Sequence, residues 1–277
     1  LSKVKLDDQM LPGLFGELKK LDTLTMNGTE FKPTEDAFIY LENLKVLHFV
    51  KIEIPEQCTN IFAPLKSLQM LAMGETKSLN YDAFRQVKDL RQLTLSHFAT
   101  IEIGENFFDQ HPNLELLDLS ELIKSDQNTD TLNDKYCIDL KALANLKSLK
   151  SLNLSDNNLN FEQEDCETIF SCLANLECLN LSLGFDHRAS QRFRKRGELK
   201  LNEKTFMQMK NLKVLNLGGN HIQLEGNCFK HLTQLIELDL SCTTYSYINN
   251  NFFNILGSLK QLEKFRFHGI QTRDWFR

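Results

Sequence analysis

Four basic side chains fall within five positions at Arg192, Arg194, Lys195 and Arg196, with Arg188 just upstream, in a chain whose formal net charge is -5. Such a cluster can hold a polyanion or an acidic protein surface, or offer a protease the dibasic bonds of Arg194-Lys195-Arg196; it can also be a solvated loop. Nucleic acid is not the expected partner. A single patch on an acidic chain lacks the extended basic stripe that phosphate binding needs, and only Phe193 interleaves it. The polar stretch around Asp126, Asp130 and Asp134 could neutralise the cluster, although exposed pairs of this kind are worth only about 0–1 kcal/mol each.

Seven cysteines leave the redox question open: Cys58, Cys137, Cys166, Cys172, Cys178, Cys228 and Cys242. No C-x-x-C occurs, so zinc-ribbon and thioredoxin-like chemistry is not expected. Cys137, Cys166 and Cys172 are candidates for a disulfide; equally, all seven could be reduced, half-buried apolar fillers. Asn27, Asn153 and Asn180 begin N-x-[ST] triplets and are candidate glycosylation sites, two of them within the recurring string LNLS. No phosphate-cradling glycine loop, H-E-x-x-H pair or G-x-S-x-G elbow is present. The sequence therefore predicts no enzyme activity, no cofactor and no metal site.

The elements that must position these residues repeat. "LKVLNLGGNHI" at 212–222 fits L-x-x-L-x-L-x-x-N-x-L, and the same phase recurs in eleven registers. They lead with Leu1, Leu21, Leu44, Leu68, Leu90, Leu114, Leu149, Leu176, Leu212, Leu235 and Leu262. Most of the x-L-x-L-x cores alternate apolar and polar residues, as a strand with one buried face does. Six residues before each leading leucine but the first stands a large apolar residue: Phe15, Phe38, Phe62, Phe84, Phe108, Leu143, Phe170, Phe206, Phe229 or Leu256. Three residues after these comes a second apolar column, broken only by His111. Twenty phenylalanines against five prolines fit such a spine. One repeat cannot bury its own apolar face, so neighbours must stack.

On these residues the chain resembles the typical class of leucine-rich repeat, with a period of about 24 residues and a Phe spine, as found in Toll-like receptor ectodomains. The resemblance implies an α/β solenoid, a curved horseshoe of about eleven repeats with a parallel sheet on its concave face. It spans residues 1–277 as a single domain. The asparagine column departs from the pattern. Asn157 and Asn220 occupy it, while Gln9, Thr29, Ile52, Thr76 and Thr243 stand elsewhere. The first and last residues both fall within repeats and no cysteine-rich cap flanks them, which predicts a segment of a longer protein.

Leading leucines are 35 and 36 residues apart at Leu114–Leu149 and Leu176–Leu212, which marks insertions at about 121–140 and 184–200. Both follow a strand, so both are expected to project from one lateral edge, and the basic cluster lies in the second. Tyr245 and Tyr247 follow a strand in the same way and are candidate lateral contacts or flank packing. By resemblance the function is recognition of a macromolecule by an extracellular or cell-surface receptor, with a protein ligand or co-receptor, or a second copy of the chain, as partner. The alternative is a cytoplasmic adaptor or effector with free thiols. No apolar run reaches the roughly 18–20 residues that span a bilayer, so a membrane would be met only through other parts of the polypeptide.

Overall fold

The computed structural model describes residues 15–27, 33–75, 81–97, 102–122, 138–157, 159, 170–183, 199–245, 250–269 and 271–272. The chain divides into two compact units, Leu1–Cys137 and Ile138–Arg277.

In the first unit the alternating cores become five parallel strands: β1 Thr23–Asn27, β2 Val46–Val50, β3 Met70–Gly74, β4 Gln92–Ser96 and β5 Leu116–Asp118. Their register aligns the repeats residue for residue, with Leu24 beside Leu47, Leu47 beside Leu71, Leu71 beside Leu93 and Leu93 beside Leu117. The leucine side of the sheet is buried, and the intervening residues face away from it. The second unit repeats this with β6 Ser151–Asn153, β7 Cys178–Asn180, β9 Val214–Asn216, β11 Glu237–Asp239 and β13 Lys264–Arg266. It adds a second parallel sheet of β8 Leu199–Leu201, β10 His221–Leu224, β12 Thr244–Tyr245 and β14 Gln271–Thr272. Strands thus form in ten of the eleven registers; the first register lies outside the described residues.

Behind the sheets the phenylalanine column is the core. Phe15, Phe38, Phe62, Phe84 and Phe108 are all at most 2% exposed, and so are Phe170, Phe206 and Phe229. Phe38 and Phe62 stack at 6.5 Å, with Phe49 from β2 lying 5.8 and 6.4 Å from them. In the second unit Phe206 lies 5.9 Å from Phe170 and 6.1 Å from Phe229. Each such side chain contributes about 1.5–3 kcal/mol by burial. The spine changes hands at the last repeat. Leu256 is only half-buried, while Phe252 and Ile255, on the helix Asn250–Gly257, are 4% and 2% exposed. Leu235 and Leu262 are 27 residues apart, which leaves room for a two-turn helix in place of a single turn.

His111 keeps its place in the second apolar column. It is fully buried, and its Nε2 lies 3.1 Å from the Phe84 carbonyl oxygen, to which it donates in the Nε2–H tautomer. The turn at the end of each strand is satisfied unevenly. Asn157 donates to the carbonyls of Leu154 and Ser155. Asn220 donates to Leu217 and Gly218 and reaches Leu181 in the preceding repeat at 2.9 Å. Thr243 substitutes with one bond, Oγ1 to the Leu240 carbonyl at 2.7 Å. Ile52 fills the same place as a fully buried apolar residue. Gln9, Thr29 and Thr76 lie outside the described residues.

The residue just before this column takes a left-handed backbone in repeat after repeat: Lys51, Glu75, His97, Glu121, Asp156, Gly219, Cys242 and Gly269. At Gly219 the requirement is absolute. A Cβ there would lie 2.1 Å from the Leu183 carbonyl oxygen.

Candidate recognition surface

The side chains that alternate with the leucines on the strands are the ones free to meet a partner. In the first unit they are Thr23, Thr25, Val46, His48, Met70, Ala72, Gln92, Thr94, Leu116 and Asp118. This row contains one carboxylate and neither Lys nor Arg. Asp118 is itself engaged, its Oδ1 accepting the Ser120 N–H at 2.9 Å. Small residues lower the middle of the face. Ala72, paired with His48 on one side and Thr94 on the other, is 4% exposed, and Gly74 follows it between Val50 and Ser96. The other charges lie at the rims, where Lys45 is exposed, Arg91 pairs with Glu115 at 2.6 Å and Lys51 with Glu75 at 3.1 Å, and His97 lies 2.7 Å from Glu121.

The second unit carries a different face. Asn153, Asn180, Asn216 and Asp239 succeed one another at the third strand position, half-buried. Each accepts the backbone N–H two residues on, from Ser155, Ser182, Gly218 and Ser241, at 2.8–3.1 Å. Their carbonyl or carboxylate oxygens are therefore fixed by the strand end, an Asx turn repeated four times. Charges gather at β11 and β13. Hydrogen bonds from Arg266 and then Lys264 hold the Glu237 carboxyl below the usual carboxylate range. Glu177 is lowered and Lys213 raised by their shared bond at 2.6 Å. Cys178 lies half-buried on this face, its thiol raised first by burial and then by the neighbouring Glu177 charge. A raised thiol is a poor nucleophile.

The structure places the candidate residues unevenly. Arg188, Arg192, Arg194, Lys195, Arg196 and Tyr247 lie outside the described residues, as do Cys137 and Cys166 and most of both insertions. Tyr245 ends β12, with Ile222 on one side and Thr272 on the other in the second sheet. Asn27 closes β1, exposed beside Val50. Asn153 and Asn180 are the Asx-turn residues just described. Cys172 is half-buried next to Ser171. Among the described residues, Cys178, Cys228 and Cys242 are free thiols, and burial pushes Cys228 up to about 12. No group of three His, Cys, Asp or Glu side chains among the described residues could hold a metal ion.

The alternation along the strands already separates a neutral row in the early repeats from the charged Glu237, Asp239, Lys264 and Arg266 in the last two; what sequence reading missed is the left-handed row. Only Gly219 and Gly269 announce it, since the six other positions carry side chains.

Residues 13–129 and 196–266 match the BspA type leucine rich repeat region in six copies. The chain belongs to this leucine-rich repeat family. The repeats led by Leu149 and Leu176 fall between the matched segments, yet they form β6 and β7 in register with each other. No curated protein matches the chain. Among solved structures it is similar to the TLR13–ssRNA13 complex, with 26% identity over 92% of this chain and a TM-score of 0.55. It is also similar to the Toll–Spatzle complex of Drosophila, a hub of development and innate immunity, with 19% identity over 98% of the chain. The TM-scores there are 0.61 and, for the glycosylated form, 0.64. The chain spans 41% and 38% of those proteins' chains. The repeats are thus a leucine-rich-repeat solenoid of the kind found in Toll-like ectodomains. Among the described residues no helix is long and apolar enough to cross a membrane.

Proposed function

We propose that this chain is a recognition scaffold, part of an extracellular Toll-like or related receptor ectodomain that binds a macromolecular ligand. The observation that carries the reading is the sheet face itself. Five registered strands in each unit present a row of side chains that the core does not use, on a scaffold whose leucine side is buried from β1 to β11 and exposed at Phe265 of β13. The likeness to complexes of Toll with Spatzle and of TLR13 with ssRNA13 supports a macromolecular ligand. Because one of those ligands is an RNA, the expectation against nucleic acid draws no support from the comparison. The basic cluster at Arg188 and Arg192–Arg196 is the candidate contact for an acidic surface, with Tyr245 and Tyr247 as lateral candidates. Asn27, Asn153 and Asn180 are candidate glycan sites, and Cys137, Cys166 and Cys172 a candidate disulfide set. A protein ligand, a co-receptor or a second copy are the partners. No catalytic role is assigned.

The free thiols of Cys178, Cys228 and Cys242 favour a second reading, a cytoplasmic adaptor or effector that keeps cysteines reduced. Intact mass of the protein from its native cells, with and without glycosidase and thiol alkylation, separates the two. Glycan mass with fewer than seven alkylated cysteines is the expected result. Bare mass with seven alkylated cysteines would replace the receptor with the adaptor.

A further inference from the structure

We propose that Asn27 carries an N-linked glycan while Asn153 and Asn180 stay bare, because the fold turns two of the three N-x-[ST] triplets into strand-end turns. In native cells this rests on the extracellular reading, and it decides which of the candidate sites is used. In the transfer, the Asn Nδ2 attacks the anomeric carbon C1 of a lipid-diphosphate-linked oligosaccharide. The C1–Nδ2 bond forms and the C1–O bond to phosphate breaks. The diphosphate leaves with the electron pair, and Nδ2 gives up one proton to the transferase. The product is a planar secondary amide, and such amides are trans, so C1 lies anti to Cβ and on the same side as Oδ1. A glycan therefore needs open space beside the amide oxygen.

At Asn180 that space is taken. Its Oδ1 accepts the Ser182 N–H at 3.1 Å and the Ser182 hydroxyl at 2.8 Å, which uses both lone pairs of the oxygen. At Asn153 the oxygen accepts the Ser155 N–H at 3.1 Å, and Ser155 is itself buried. Both asparagines are half-buried, and they are register partners, with Asn216 on the far side of Asn180. Partners on adjacent strands lie about 4.8 Å apart, too close for two sugars side by side. Transfer precedes folding, so a chain modified at either residue loses the turn and drops out of the folded population. Asn27 meets none of these obstacles. It is the exposed last residue of β1, and its register partner is Val50. Among the described residues none holds its side-chain amide by a hydrogen bond.

The test secretes the whole chain from animal cells behind an added signal sequence, so that its native compartment does not decide the outcome. Folded protein is isolated by size exclusion, digested, and treated with peptide N-glycosidase in heavy-oxygen water. Each Asn that bore a glycan becomes a heavy-oxygen Asp, which peptide mass spectrometry locates. The expected result is label at Asn27 and at neither Asn153 nor Asn180. Asn27→Gln should then remove all of the glycan mass, whereas Asn153→Gln and Asn180→Gln should each leave it unchanged. If Asn27→Gln is not secreted, the wild-type peptide map decides alone. Label at Asn153 or Asn180 in the folded fraction, or none at Asn27, would overturn the proposal. A bare intact mass from native cells, beside label at Asn27 in the secreted chain, would remove the receptor reading and leave the choice of site standing.

Discussion

His111 is a titratable ring where the other repeats put Leu, Val or Met. Burial lowers its pKa below 6.5, and the hydrogen bond to the Phe84 carbonyl offsets only part of that. The sign follows from linkage. The unfolded ring binds a proton below about pH 6.5 and the folded ring only at lower pH, so stability is complete above about pH 6.5 and falls as pH drops below it toward the lowered folded value. Urea unfolding from about pH 8 to about pH 5 should therefore show stability declining on the acid side, and His111→Leu should flatten that decline. An unchanged slope would show that the buried ring is not its source. Gly219 shows a second use of single residues. Its φ of 73° and the Leu183 oxygen behind it leave no room for any side chain, whereas Asp156 or Glu121 at equivalent turns store the cost of left-handed backbone, about 1–3 kcal/mol. Sequence made Asn157 and Asn220 legible as turn residues, because their spacing from the leucines is fixed. The left-handed row was not legible, since Lys51, Glu75 and Glu121 have no intrinsic preference for that conformation. The repeat imposes it.

At the scale of the element, the Phe column is the test of the repeat register. Phe229 is 1% exposed and stacked on Phe206 at 6.1 Å. Phe229→Ala should destabilise the second unit by about 3–5 kcal/mol in denaturant unfolding, the usual cost of emptying such a site. A loss below about 1 kcal/mol would mean that the stack is not what closes the core. The column was readable because a six-residue offset from a leading leucine recurs without exception. It failed only where the element itself changed. The helix Asn250–Gly257 rotates Leu256 outward and turns Phe252 and Ile255 inward, with Phe252 against Phe267 at 5.2 Å. An offset counted along the sequence assumes equal rise per residue, and a helix breaks that assumption.

For the whole molecule, the proposed contact at Arg188 and Arg192–Arg196 is tested by charge reversal. Replacing Arg192, Arg194, Lys195 and Arg196 by Glu should remove binding to heparin, a polyanion probe, while changing the unfolding free energy by less than about 0.5 kcal/mol. Heparin binding that survives the reversal would remove this segment as a contact.

The sequence by itself determined the family, the strand registers, most of the Phe core and which side chains alternate away from it. These are one-dimensional properties: a repeat that stacks on its neighbour must place equivalent residues in equivalent environments. The same alternation showed a neutral row in the early repeats and charges in the last two; tertiary structure alone decided which of those side chains pair and how deep each one sits. Val46, Met70 and Leu116 are scattered over 71 residues, and only the parallel register brings them into one uncharged strip. The register likewise sets Arg266 against Glu237 and Asp239, giving the second unit its charged strip. Neighbours across a sheet lie about 4.8 Å apart whatever their distance along the chain, so the character of a face is a sum over repeats that no single repeat reveals.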